Sequence, residues 1–215
     1  PSDLQVSNIK DLTGSNTGLS IASDGQITVN QNNPTLTLGS NATGFTGVKN
    51  VDMYRLNANI TGGMSIPYDK LTRGTDAFGC ANLGTGMTLH NVSNVGVFTF
   101  PATGIWRVEA GFSHIHDGVT RYHFSGILLS TGGKSGSFNL KGNGRTFMND
   151  SNASSGVIYS SAYVNCIFDV STAGDTGSSY AVKFDVSGES GSTETVGGGT
   201  NQIFTWFLFT RLGDT

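Results

Sequence analysis

The sequence predicts an all-β sandwich, and three observations carry that prediction. Gly, Ser, Thr and Asn are abundant, with 31 Gly among 215 residues and only 13% charged residues, a balance that favours short strands and tight turns over helices. Residues 97–112 read as two alternating strands meeting at a Pro-Gly corner. The second strand carries Trp106, Val108, Ala110 and Phe112 on one face and Arg107, Glu109 and Gly111 on the other. No convincing helical periodicity occurs anywhere, and no repeat of fixed period.

Composition bounds the function classes. A hydrophobic content of 36% supports a packed core, so wholesale disorder is excluded. The formal charge of −3 comes without any Lys/Arg run, so nucleic acid is not an expected partner. No apolar run approaches the ~18 residues of a spanning helix, and membrane insertion is not expected. Cys80 and Cys166 are the only cysteines, read either as two buried thiols or as one disulfide. No basic segment followed by an apolar run opens the chain, so the sequence offers no secretory leader. A cytoplasmic product trimmed of its initiator Met and a mature secreted chain both fit.

Two regions follow in order. Residues 4–45 are polar, with isolated aliphatics and turn signals such as Ser23-Asp24-Gly25 between short alternating runs at 26–29 and 35–38. Too few apolar residues are present for an independent core, so residues 1–45 read as an arm that docks on another surface. From residue 46 to 215 apolar content rises and strands lengthen. Candidate strands are 51–57, 66–71, 95–100, 105–116, 120–130, 157–170, 179–187 and 202–212, separated by Gly-rich turns. Eight such strands suggest a jelly roll or a related sandwich. The last strand is unusual, because Ile203, Phe204, Trp206, Phe207, Leu208 and Phe209 are apolar on both faces. It needs cover on both sides, from its own domain or from a neighbouring subunit.

Several segments resemble the globular head of complement C1q and its tumour-necrosis-factor relatives. Ile66-Pro67-Tyr68-Asp69-Lys70-Leu71 resembles that family's hydrophobic-Phe-Asp-Lys strand. Gly96-Val97-Phe98-Thr99-Phe100-Pro101 followed by Gly104-Ile105-Trp106 resembles its Gly-x-Phe-x-x-Pro…Gly-x-Tyr core. Tyr180-Ala181-Val182-Lys183-Phe184 is similar to its penultimate strand, and Phe204-Thr205-Trp206-Phe207-Leu208 to its closing Phe-Ser-Gly-Phe-Leu, with Trp206 in place of the usual Gly. The match runs in order over roughly residues 50–213.

The resemblance implies a C1q/TNF-like jelly-roll β-sandwich assembled as a homotrimer, with Trp106, Phe204, Trp206, Phe207 and Phe209 near the threefold axis. It also implies partner binding through apical loops. Animal members usually carry a collagen stalk, but no Gly-x-y repeat is present here. The arm, through residues 16–28, resembles segments of bacteriophage tail-fibre and virion appendage proteins. Together these resemblances imply a non-enzymatic virion protein made in the host cytoplasm. Its arm (1–45) would hold another virion protein, and its knob (46–215) would meet a host-surface glycan or protein, or decorate the capsid or tail. The alternatives are an extracellular lectin-like module and, ranked lower, a fibre-embedded glycosidase.

The chemistry-bearing residues point the same way. His114, His116 and His123 are the one cluster that would interest a metal. Pairing strand 105–116 with strand 120–130 so that Phe112 meets Phe124 puts His123 opposite Ser113, away from the other two. The histidines are therefore expected at the surface or near the threefold axis, around an Asp117-Gly118 turn, and no metal is expected. No motif pairs the carboxylates Asp169, Asp175, Asp185, Glu189 and Glu194 for acid–base work, and neither a nucleophile elbow nor a phosphate-binding Gly loop occurs. No catalytic residue and no cofactor follow. Lys141, Asn143, Arg145, Tyr159, Glu189 and Glu194 are the candidate ligand contacts, read as lying in or beside exposed loops whose amides and aromatics suit a glycan. The Asn-x-Ser/Thr triplets at Asn41, Asn59, Asn91 and Asn152 are what chance yields in so Asn-, Ser- and Thr-rich a chain.

Overall fold

Strand faces are set by alternation, and sixteen strands result among the described residues. The computed structural model describes residues 8–10, 17–21, 27–29, 48, 50–75, 82–117, 120–148, 157–188 and 194–214. The chain divides into two compact units, Pro1–Thr46 and Gly47–Thr215. The first unit contains β1 (Asn8–Lys10), β2 (Thr17–Ile21) and β3 (Ile27–Val29), joined as an antiparallel sheet in that order. The run expected at 35–38 lies outside the described residues.

The second unit is a sandwich of two antiparallel sheets. Its strands are β4 (Asn50–Leu56), β5 (Ile60–Thr61), β6 (Met64–Ser65), β7 (Leu71–Arg73), β8 (Thr88–Val92) and β9 (Val95–Thr99). They continue with β10 (Gly104–Asp117), β11 (Thr120–Ser130), β12 (Asn139–Met148), β13 (Val157–Val170), β14 (Ala181–Gly188), β15 (Glu194–Val196) and β16 (Trp206–Gly213). One sheet runs β5-β15-β10-β16-β4-β7, with β13 along the other edge of β10. The second runs β12-β11-β14-β9-β8, with β6 also on β14.

The corner after Phe100 is built from a Gly and a Trp. Gly104 has φ +131°, and a Cβ there would lie 2.3 Å from the Gly213 carbonyl oxygen, so only Gly fits. Trp106 Nε1 donates to the Ala102 carbonyl at 3.0 Å, satisfying the indole as its ring enters the core. The β8–β9 hairpin turns on Ser93 and Asn94, both at positive φ, the conformation a two-residue primed turn demands. That hairpin escapes sequence reading because its turn lacks a Gly.

The core is aromatic. Trp106, Val108, Ala110 and Phe112 point inward, each at most 1% exposed. Phe207 packs tilted against Phe184 at 4.3 Å and meets Phe112 edge-on at 5.6 Å, while Phe209 lies 4.9 Å from Phe98. Beside it, buried Asp52 accepts two hydrogen bonds from Arg73 at 3.0 Å and one from the Met87 N–H at 2.7 Å. Burial raises the Asp52 carboxyl above its ordinary value despite Arg73, whose hydrogen bond and charge pull the other way.

Tyr54, edge-on to Phe98 at 4.8 Å, donates to the Met87 carbonyl at 3.3 Å. Burial, and then the Asp52 charge, push its phenol from 10.0 up to about 12. The folded state thus holds this proton more tightly than the unfolded chain. Tyr54 contributes its full stability below about pH 10 and loses it as pH rises to about 12, a difference on the order of 3 kcal/mol. Alkaline titration followed by phenolate absorbance and circular dichroism should show one tyrosine ionising together with unfolding, and Tyr54→Phe should remove that step.

Four expectations change. Residues 66–70 form no strand but a bridge at Pro67 and a 3₁₀ turn at Tyr68–Lys70, because φ of −67° at Pro67 leads into the turn, and only Leu71 of the expected run is a strand residue, opening β7. Residues 139–148, read as loop, form β12. Residues 202–205 precede the last strand, which starts at Trp206. Finally, β10 and β11 do not pair: β10 lies between β13 on one edge and β15 and β16 on the other, and β11 between β12 and β14 in the opposite sheet. Strands β10 and β11, consecutive in the chain, therefore belong to opposing sheets and form no hairpin.

Candidate functional site: the outward face of the β10 sheet

Alternation that sends Trp106 and Phe112 inward sends Arg107, Glu109, Gly111 and Ser113 outward. Register then sets Trp206 opposite Gly111 from β16, and Tyr163 opposite Gly111 from β13. The missing side chain at Gly111 is required, since a Cβ would lie 2.5 Å from Trp206 Nε1. The bulky Trp206 is accommodated because the small residue stands on the neighbouring strand. Tyr163 and Trp206 rings lie 6.2 Å apart, and with Phe204 and Ser161 they frame a shallow cavity of about 250 Å³.

A polar chain runs beside this aromatic cradle. Arg107 reaches Glu109 at 2.7 Å and donates to the Tyr163 hydroxyl at 3.3 Å, and that hydroxyl donates to Glu109 Oε1. Glu109 is buried while Tyr163 remains 49% exposed. The same face leaves Tyr159 70%, Ile167 62% and Phe204 47% exposed. For one chain this is a substantial apolar surface around an ordered polar centre.

The candidate interface residues therefore separate. Trp206 and Phe204 are on this face. Trp106, Phe207 and Phe209 are corrected to core positions, each 0% exposed inside the sandwich, with no surface for a second chain to touch. The reason is the pleat: with β10 paired to β16, Phe209 and Phe207 stand opposite Val108 and Ala110 and must share their inward side of the sheet.

The candidate ligand contacts do not converge. Lys141, Asn143 and Arg145 belong to strand β12, not to a loop, and Arg145 places its guanidinium 5.1 Å from the Tyr122 ring centroid. Tyr159 is on β13, in the other sheet. Glu194 begins β15, and its backbone stands opposite His116. Glu189 and Cys80 lie outside the described residues. Of the carboxylates, Asp185 accepts from Ser65 at 2.5 Å and pairs with Lys183 at 3.4 Å. Asp175 pairs with Lys134 at 2.5 Å, which holds its carboxyl below the ordinary value. His90 lies 3.9 Å from Asp175, and burial lowers its proton affinity despite that charge.

The histidines are corrected too. Because β10 and β11 belong to opposing sheets, His114, His116 and His123 meet between them, 0%, 4% and 0% exposed. Ring centroids are 5.0 Å apart for His114–His123 and 5.3 Å for His116–His123, and His114 Nε2 lies 2.8 Å from Ser125 Oγ. They are core residues, not surface ones. Among the described residues, no group of His, Cys, Asp or Glu is arranged to hold a metal.

Strand order and two-layer packing define a TNF-like jelly-roll sandwich. No family model matches the sequence, and no curated protein matches it. Among solved structures, the chain is similar to the Eiger TNF of S. frugiperda, at 11% identity over 77% of this chain and 93% of that one, TM-score 0.52. It is also similar to murine APRIL, at 12% identity over 76% of this chain and 98% of that one, TM-score 0.48. At such identities the likeness to Eiger speaks to the fold alone.

Proposed function

We propose that the sandwich is a non-enzymatic recognition module that works as a homotrimer, joined through the outward face of the β10 sheet. The observation that carries this reading is the cluster of exposed aromatic and aliphatic side chains there, Tyr159, Tyr163, Ile167 and Phe204, around half-buried Trp206. Covering such a patch is the ordinary source of stable association. The sequence resemblance to C1q and TNF heads supplies the threefold symmetry. Three weak ligand sites on one knob gain avidity through effective concentration.

In the finer reading, the protein is a bacteriophage virion appendage. Its arm, residues 1–45, fixes the knob to another virion protein, and the knob contacts a glycan or protein on the host surface. Its support is the sequence of the arm. Light scattering tests the assembly: the expected mass is three times the 22.5 kDa chain, and a single-chain mass would refute it. Immunodetection in purified particles tests the virion role. The intact chain should be present, and a chain lacking residues 1–45 should be trimeric yet absent.

A further inference from the structure

We propose that a cleft along the edge of β13 that faces away from β10 binds a small zwitterion with an apolar body, the simplest case being an amino acid with a large side chain. The cleft measures about 450 Å³, within the size range of small-molecule sites. Its apolar wall is formed by Leu129, Cys166, Ile167 and Phe168, and its polar rim by Lys141, Asp169 and Tyr180.

The two sheets close against each other just beside it. A Cβ at Gly142 would lie 2.5 Å from Cys166 Sγ, and one at Gly144 would lie 2.7 Å from the Tyr163 carbonyl oxygen. Past this closure the β11–β12 register slips, because Ile127 faces Gly142 whereas Leu128 faces Leu140. Lys141 is thus the extra residue of a β-bulge, a device that re-aims a side chain and bends an edge strand. The bulge turns Lys141 out of the alternation of β12 and onto the cleft.

Lys141 and Asp169 join no ion pair among the described residues, so the rim carries one uncompensated cation and one uncompensated anion. An organic anion would meet Lys141 but be repelled by Asp169, and a cation the reverse. A dipolar solute satisfies both while its apolar body covers Leu129 and Phe168. Because both charges are exposed, each contact is weak, and the affinity expected is no tighter than millimolar.

Cys166 reports occupancy directly, since its thiol lines the cleft and burial raises it above its ordinary value. The experiment follows alkylation of Cys166 by iodoacetamide in the full chain carrying Cys80→Ser. The probes are L-phenylalanine, 3-phenylpropionate and phenylalanine methyl ester. At ~10 mM, L-phenylalanine should slow alkylation about threefold or more, and the two singly charged probes should protect far less. Lys141→Met and Asp169→Asn should each abolish the advantage of L-phenylalanine. Should Cys80→Ser fail to fold, the methyl shifts of Leu129, which lines the cleft and lies outside the proposed trimer face, give the same reading in the unsubstituted chain. No response to L-phenylalanine, or an equal response to all three probes, overturns the proposal and leaves the trimer untouched.

Discussion

Phe207→Asp is expected to yield a chain that is insoluble or lacks a cooperative thermal transition. Phe207 is 0% exposed and packs on Phe184 at 4.3 Å and Phe112 at 5.6 Å. Truncating such a ring to Ala costs about 3–5 kcal/mol. A carboxylate adds desolvation to that loss, in a domain whose whole stability is of order 5–15 kcal/mol. Differential scanning calorimetry of Phe207→Ala, which should fold with a much lowered Tm, guards against an uninterpretable precipitate. A soluble Phe207→Asp chain with an unchanged Tm would show that the ring does not lie between the sheets.

Trp206→Asp is expected to do the opposite: the chain folds, stays soluble and sediments as a single protomer. Trp206 precedes Phe207 by one residue and so points outward, over Gly111 and beside Tyr163. Truncating a central interface Trp costs about 2–4 kcal/mol, and threefold symmetry repeats that loss at each contact. A carboxylate at this position also stands close to the buried Glu109 network, adding like-charge repulsion. Analytical ultracentrifugation with far-UV circular dichroism decides the matter. A folded trimer of Trp206→Asp would place the subunit contact on another face.

Much of the architecture was legible along the chain. The strands at 120–130 and 157–170 match β11 and β13 to the residue, and the inward face of β10 is the one alternation marks. These strands are long and half-buried, so period-two patterning is strong. β12 was not legible, because Asn139-Leu140-Lys141-Gly142-Asn143-Gly144-Arg145 has no apolar row and Gly in place of inward side chains. Those glycines make sense only against Cys166 and Tyr163 of the opposing sheet. The candidate ligand residues scattered for the same reason, since closeness in sequence to a turn says nothing about which sheet a strand joins.

The histidines show the limit most clearly. Aligning apolar rows of β10 and β11 as a hairpin is locally sound, yet it separates His123 from His114 and His116. Local patterning favours the hairpin, and only long-range pairing with β12, β13, β14, β15 and β16 places the two strands in opposing sheets.

The sequence by itself determined an all-β sandwich, the inward row of its central strand, and a closing segment too apolar for water on either side. Tertiary structure alone decided which side of that segment is core, sending Phe207 and Phe209 inward and leaving Trp206 out. It also brought three histidines together and opened a charged cleft beside a bulge. The physical reason is that side-chain alternation is a property of a single strand, whereas sheet membership is settled by contacts between residues far apart along the chain.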